Sequence, residues 1–419
     1  MNNQIINNFK NDKIFNIFKY LFYFFPAFIV SGNFLLNSLF IISLLLTIYF
    51  FFKYSFNQVL VNKHTIYLSL FFLYLITSSI ISEENYSIIS SIKYLRFYFF
   101  SIVILIMLKF DEKFERYFCL SFVSTLIFVS IDGLIQYFFD YNIVGLAKAT
   151  PHRVSGFFGD ELILGSFISK YLFLVFIYFI VFNKQKSFFM IISGLLIITA
   201  FLTGERTAFF SIILFSFLYF TKIFNFKKIL FFFSSVIFII GIAIFLDPII
   251  KERMINKTIN DTQILREWKH PKQIKYFTDD HNAHFQSAYL MYKKGNILDQ
   301  LFGRGIKSFR INCSKKKFCD KIDCCSTHPH NVFFQVISEI GLIGLGIYIY
   351  FYLYLLSNYF KSVEIDPIRR KILSVNCSLL VCLFPLITSG NIFGSFFSAN
   401  LFFIIPYMIF LEEYDKQKT

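Results

Sequence analysis

The sequence predicts an all-α polytopic membrane protein with about twelve transmembrane helices and one large outer loop between spans 9 and 10. Three observations predict it. Of 419 residues, 56% are hydrophobic and 16% charged, with a mean hydropathy of +0.60, more apolar surface than a water-soluble chain of this length can hide. Apolar runs near the roughly 20 residues needed to cross a bilayer recur along the chain. Positive charge is concentrated in alternate connecting loops, as the positive-inside rule requires.

The runs fall at about 14–31, 35–52, 65–82, 94–109, 117–139, 162–182, 187–203, 207–222, 228–246, 331–356, 371–388 and 392–411. The first follows a polar N-terminus without a small-residue cleavage site and reads as a retained helix. Residues 187–222 form one long apolar region broken only by Gly204-Glu205-Arg206. We divide it there, because a Glu-Arg pair is too costly to face lipid at mid-depth. With 63 Phe in the chain, aromatic stripes carry little information. Arginine, ten against thirty-one lysines, is the more informative cation.

Short loops on one side hold Lys53, Lys63, Lys109, Lys113, Arg116, Lys184, Lys186, Lys222, Lys227, Lys228, Lys361, Arg369, Arg370 and Lys371. Those on the other side hold only Lys148, Arg153 and Arg206. The first side is therefore expected to be cytoplasmic, with both termini. The chain divides into helices 1–9 (residues 1–246), a large outer loop (247–329) and helices 10–12 (330–419). The loop carries sixteen Lys/Arg against nine Asp/Glu, and connectors of this length are usually functional. It contains a predicted helix from about His284 to Lys294 and a glycine-bounded turn at Gly303-Arg304-Gly305. Six of the seven histidines fall on the outer side. The basic charge lies in loops between spans, so the bilayer is the expected partner and nucleic acid is not.

Four cysteines, Cys313, Cys319, Cys324 and Cys325, cluster in the outer loop. An even number on an oxidising face points to two disulfides, with Cys324 and Cys325 each pairing to Cys313 or Cys319. A zinc site using His328 or His330 is the rival reading, although the spacing matches no common zinc pattern. Cys119, Cys377 and Cys382 lie in spans and read as packing residues.

The loop ends in STHPHNVFFQVISEIGLIG. Asn331, Gln335 and Glu339 recur every four residues and share one helix face, with Glu339 about 12 Å below Asn331. A carboxylate at that depth must face the bundle interior or a water-filled cavity. Gly341 and Gly344 would let another helix approach closely. Pro329 holds His328 extended and delays the helix start, which fixes His330 at the helix mouth. A polar cap with ordinary interfacial histidines is the alternative. Arg153 and Arg206 break the positive-inside trend, and a guanidinium fork suits phosphate oxygens. A headgroup contact for Arg153 and an intrachain pair for Arg206 are the competing readings. Arg304 is a further candidate, and Lys93 and Arg96 read as snorkelling cations. Outer arginines beside a positioned histidine suit a substrate with a diphosphate at the interface and a tail in lipid. No DxD-like acidic pair marks the short outer loops, so neither a metal nor another cofactor is expected.

These residues resemble the O-antigen ligase/polymerase family of bacterial inner-membrane glycosyltransferases. His330-Asn331, nine residues, then Gly341-x-x-Gly344 is similar to the ligase pattern H-[NSQ]-x9-G-x-x-G. RVSGFFGDELILGSF resembles the family's R-x-S/T-G-x-F element, TGERTAFF its T-G-S-R-x-A element, and LFGRG its glycine turn. The resembling segments run in family order from about residue 150 to 345. The resemblance implies a GT-C-like fold with a periplasmic loop, acting on an undecaprenyl diphosphate-linked glycan without a metal and with inversion. It implies that His330 is the general base, that Arg153 and Arg206 hold the diphosphate, and that His328 assists. Where the family often has an arginine at the start of the loop helix, this chain has His284. Arg266, Lys293 or Arg304 would have to replace that contact.

Two activities fit the resemblance. A ligase moves the finished glycan to lipid A-core, and the glycine spacing favours it. A polymerase joins repeat units on the same carrier. A lipid-linked oligosaccharide flippase is a third reading, to which Lys170 and Asp132 within spans are the friendliest features.

Overall fold

A computed structural model describes residues 11–54, 63–182, 186–262, 278–319, 324–362 and 366–418. Arg266 and Lys184 lie outside them. The described residues form helices α1 (Lys13–Tyr23), α2 (Phe25–Val30), α3 (Asn33–Tyr54), α4 (Lys63–Ile81), α5 (Asn85–Phe110) and α6 (Phe114–Phe139). These are followed by α7 (Leu164–Phe182), α8 (Lys186–Leu202), α9 (Arg206–Ile223), α10 (Phe226–Leu246), α11 (Pro248–Lys251) and α12 (Lys257–Thr262). The large loop supplies α13 (Asp279–Lys293), α14 (Ile297–Phe302) and α15 (Phe309–Asn312). The last membrane helices are α16 (Val332–Lys361), α17 (Pro367–Cys382) and α18 (Ser395–Lys418). The chain is a polytopic all-α membrane protein.

Each of the twelve expected runs contains helix, and nine helices among the described residues are long and apolar enough to cross a membrane. The other three are shorter, each for a local reason. The first run is divided at Phe24, with Pro26 in the first turn of α2. The seventh is the 17-residue α8. The eleventh stops at Cys382 instead of continuing to 388. Pro385 lacks the N–H a helix needs and disfavours helical backbone before it, so residues 383–394 run as turns and extended chain. Irregular backbone at this depth is tolerated only where protein or a cavity covers it.

The core shows why phenylalanine stripes were uninformative. Phe40 packs on Phe97 at 4.8 Å and Phe118 on Phe403 at 4.9 Å, yet Phe34, Phe52 and Phe245 are more than 80% exposed. With lipid as solvent, the outside of the bundle is as apolar as its inside. At the end opposite the loop, Asp12 pairs with Lys53, Glu413 with Lys109, and Glu115 with Lys371. These pairs bring Asp12 and Glu413 together with Lys53, Lys109 and Lys371, three of the lysines from the basic short loops, at one end of the bundle.

The large loop is folded against the membrane helices. Ala288, Met291, Phe309, Cys313 and Phe318 form a small core, and Phe285 of α13 stacks on Phe334 of α16 at 4.8 Å. The helix predicted from His284 starts earlier, at Asp279, because Thr278 caps it by accepting the His281 N–H at 3.3 Å. Cys313 is bonded to Cys325 and Cys319 to Cys324, which leaves none of these four thiols for the rival zinc reading.

The glycines expected to admit another helix have different roles. Gly341 takes φ +66°, kinks α16, and meets the backbone of Leu301 and Gly303. Gly303, itself at φ +78°, abuts the backbone of Glu339 and Ile340, so neither position has room for a Cβ. The loop turn thus docks on the helix kink, and the Arg304 N–H donates to the Ser338 carbonyl at 3.3 Å. Gly344 faces Ile340 of its own helix.

Candidate active site

Three elements bring the candidate residues together at the loop end of the bundle. The first is the HPHN segment. Asn331 caps α16 by accepting the Phe334 N–H at 3.2 Å, and its amide donates to the carbonyls of Pro385 and Ile387 at 2.8 and 3.2 Å. Gln335 donates to Asn391 Oδ1 at 2.7 Å and to Glu339 Oε2 at 3.1 Å, and accepts the Ile392 N–H at 3.1 Å. Buried Glu339 accepts the Phe309 N–H at 3.0 Å. The polar stripe along α16 therefore faces protein rather than the cavity. It ties the helix to segment 383–394 on one side and to the large loop on the other.

His330 follows from that bracing. It adopts φ +58°, a left-handed conformation that a non-glycine residue holds only when its surroundings impose it. Its carbonyl accepts the Ser389 N–H at 2.8 Å, and its Nε2 hydrogen-bonds with Ser326 Oγ at 3.2 Å. His328 Nε2 meets the Ser389 carbonyl at 3.2 Å, so that nitrogen carries the proton, and Nδ1 accepts from Thr327 at 2.9 Å. The rings of His328, His284 and His281 lie 4.0, 5.3 and 5.4 Å from that of His330. Burial first, and then these three neighbours, pull the His330 pKa from 6.5 down to about 3. Burial likewise lowers His328 to about 4. Both rings are neutral at pH 7.

The second element is the break between α8 and α9. Gly204 takes φ +71° with its α-carbon against the His152 carbonyl, where a Cβ would collide. This turn buries Glu205 against the start of α7, where its carboxylate accepts the N–H groups of Gly165 and Ser166 at 2.7 and 3.1 Å. Arg206 pairs with Asp261 at 2.9 Å, realising the expected alternative of an intrachain partner, although not Glu205. Arg153 donates to the Leu162 carbonyl at 2.9 Å, while its buried Nε has no hydrogen-bond partner.

The third element was not legible in advance. Residues Glu252–Asn256 form a π-helical turn, a feature frequent at functional sites. It directs Arg253 at the Gly204 carbonyl, 3.1 Å away. Burial lowers the pKa of both Arg153 and Arg253, and the positive charge of Arg206 lowers each further.

Arg153, Arg206, Arg253, Glu205, His281, His328 and His330 all line one cavity of about 440 Å³. Ile387 to Gly390 form part of its wall, and Thr388 hydrogen-bonds with Thr207 at 2.8 Å. The cavity descends between α7, α9 and α17. On α9 its lining runs from Thr207 through Ser211 to Phe215, about 12 Å along the axis. Lys170 lines the cavity with its ammonium 4.5 Å from the Phe397 ring. Among the lining residues four Lys or Arg cations face one carboxylate.

Arg304, the further candidate for phosphate, is absent from this lining. The docked turn sends it to Asp299 at 2.7 Å, to the Met291 carbonyl at 3.3 Å and over the Phe318 ring at 5.0 Å. It braces the loop. Asp132 also has a local role, accepting the Ile143 N–H at 3.0 Å and the Asn142 amide at 3.3 Å. Among the described residues, no group of three or more His, Cys, Asp or Glu side chains is arranged to hold a metal ion.

Fold and site together define a polytopic membrane protein whose folded loop closes a cationic cavity beside a histidine cluster. Residues 188–349 match the family model described as O-antigen ligase, which supports placing the chain in the O-antigen ligase/polymerase family. The matched segment contains Arg206, Arg253 and all four clustered histidines, while Arg153 precedes it. No curated protein matches the chain.

Proposed function

We propose that the protein is an inverting, metal-independent glycosyltransferase that moves a glycan from undecaprenyl diphosphate to an acceptor sugar hydroxyl. The reaction takes place at the periplasmic face of the bacterial inner membrane, with both chain termini cytoplasmic. The observation that carries this reading is that His330 and three arginines line the same cavity. The arginines bind the diphosphate and stabilise the charge that grows on it as the C1–O bond breaks. Without a bound anion, Asp261, paired with Arg206, and Glu205 offset only part of the arginines' burial and mutual repulsion. Lys170, deeper in the cavity, receives the carrier-side phosphate, and the carrier chain continues past Phe215 and Phe397 towards lipid.

The acceptor hydroxyl attacks C1 from the face opposite the leaving diphosphate, and His330 takes its proton. In the free protein His330 is neutral and only weakly basic. A bound diphosphate places negative charge beside the ring, which raises its pKa and stabilises the imidazolium formed during transfer. The donor thus activates the base. Braced against Ser389, His330 accepts the proton without moving.

The spacing His330-Asn331-x9-Gly341-x-x-Gly344 favours a ligase acting on lipid A-core. Joining repeat units on the same carrier is the alternative. Against a flippase stands the engagement of Asp132, which holds its own loop by accepting the Ile143 N–H and the Asn142 amide. A strain lacking the protein tests the assignment by gel analysis of its surface and carrier-linked glycans. Loss of surface glycan with long carrier-linked chains retained supports the ligase. Surface caps of a single repeat establish a polymerase, and an unchanged profile contradicts both.

A further inference from the structure

A second basic cluster lies outside the cavity. Lys93 and Arg96 project from α5, and Lys307 and Arg310 from the docked part of the large loop. That part of the loop is firmly placed. Gly305 packs on Ser82 and Ser87, Phe309 donates to Glu339, and Arg310 reaches the Tyr86 hydroxyl at 3.4 Å. Lys307 is held at φ +60°, a left-handed conformation imposed by this docking.

Lys307 feels the charge of the other three cations. Burial lowers the Lys307 pKa, and Arg96, Arg310 and Lys93 all push it the same way. The opposing carboxylate, Glu339, is already engaged by the Phe309 N–H and by Gln335. Glu83 and Glu84 precede α5 and adjoin in sequence the Ser82, Tyr86 and Ser87 contacts of the docked loop, so two carboxylates there face four cations. Arg96 donates to Ser395 Oγ at 3.0 Å and covers the Phe97 ring at 4.9 Å, yet its Nε is buried with no hydrogen-bond partner. Lys93 and Arg310 are exposed, so the cluster is open to a ligand. Snorkelling explains a lone lysine at a helix end. It does not explain four convergent cations, one of them with a buried, unsatisfied donor.

The cluster also adjoins the histidines from a different direction. Arg310 depresses the pKa of His328, although none of the four cations lines the cavity that holds Arg153, Arg206 and Arg253. We propose that Lys93, Arg96, Lys307 and Arg310 form a second anion site, which holds a phosphate group of the lipid acceptor while the first cavity holds the donor diphosphate. This inference rests on the transferase reading above. It assigns the two lipids to two cationic sites that both adjoin the histidine cluster, so each phosphate sets the position of one reacting sugar.

The test uses the full chain in nanodiscs with a lipid-linked glycan donor and three acceptors. These are a phosphorylated glucosamine lipid bearing core sugars, its dephosphorylated form, and a polyprenyl diphosphate-linked repeat unit. Arg96→Gln and Arg310→Gln are each expected to raise KM for the phosphorylated acceptor about tenfold, with donor affinity within twofold of wild type. The dephosphorylated acceptor should show no difference between wild type and variants. Whichever phosphorylated acceptor responds identifies the source of the phosphate. Arg96→Lys, which keeps charge and much of the stem, should recover part of the loss and separates binding from misfolding. Unchanged KM for both phosphorylated acceptors, or an equal loss with the dephosphorylated one, overturns the second site. If wild type transfers to none of the three, the transferase reading itself fails.

Discussion

The carbonyl of His330 accepts the Ser389 N–H at 2.8 Å, which couples the candidate base to the irregular segment that interrupts the eleventh apolar run. The left-handed turn at His330 persists because α16 and segment 383–394 hold it from both sides. Ser389→Pro removes the donor. Its expected effect is a fall in kcat of at least tenfold with donor affinity within twofold of wild type, measured by transfer and binding assays on the same preparation.

Asn331 is the other half of that brace. Asn331→Ala deletes the cap of α16 and the bonds to the Pro385 and Ile387 carbonyls. Loss of a cap alone costs about 1 kcal/mol, and the orphaned carbonyls add to it. A lower melting temperature together with reduced kcat is expected. Asn331→Asp keeps the cap acceptor but not the amide donors, so it should recover part of the stability and little of the activity.

Arg253 illustrates what sequence reasoning can and cannot find. It was one of sixteen basic residues in a long loop, and nothing in its neighbours signalled the π-helical turn that aims it at Gly204. Arg153 and Arg206 were legible because each stood nearly alone on a face where positive charge is rare. His281 was hidden by a helix start placed too late, although Thr278 was available as its cap. The polar stripe of α16 was readable from its four-residue period, but its partners were not, because they lie in a segment whose apolar composition reads as a span. The place of Arg304 outside the cavity is not readable from sequence, because its pair with Asp299 and the docking of Gly303 on Gly341 are made only in the folded chain. The twelve runs themselves were plain, since bilayer length and loop charge are written directly in composition. On the present account Arg253→Gln weakens binding of the diphosphate-linked donor by about tenfold, roughly 1.4 kcal/mol. Isothermal titration in nanodiscs measures this.

The histidine cluster gives stability a defined pH dependence. His330 and His328 have folded pKa values of about 3 and 4, against 6.5 for an unperturbed histidine. Below pH 6.5 the unfolded chain binds protons that the folded chain does not, so stability rises with pH across that window. Their contribution is fully present above pH 6.5 and is lost as pH falls towards the folded values. Thermal unfolding at pH 5 and pH 7 should show a lower midpoint at pH 5. The difference should shrink in His328→Asn.

The disulfides Cys313–Cys325 and Cys319–Cys324 close short loops immediately before the HPHN segment. A bridge over a loop of this size contributes about 3 kcal/mol. Cys313→Ser should therefore lower the melting temperature and slow transfer, and wild type treated with reductant should behave the same way. Alkylation before and after reduction, read by intact mass, should reveal four additional reactive thiols.

The central claim is that His330 takes the acceptor proton while the arginine cavity holds the donor. It is tested most directly by measuring donor binding and glycan transfer on His330→Ala in one reconstituted preparation. The account predicts wild-type affinity for the lipid-linked donor with transfer reduced at least a thousandfold, within the range for removing a general base. Transfer at the wild-type rate by a variant that binds donor normally would contradict it.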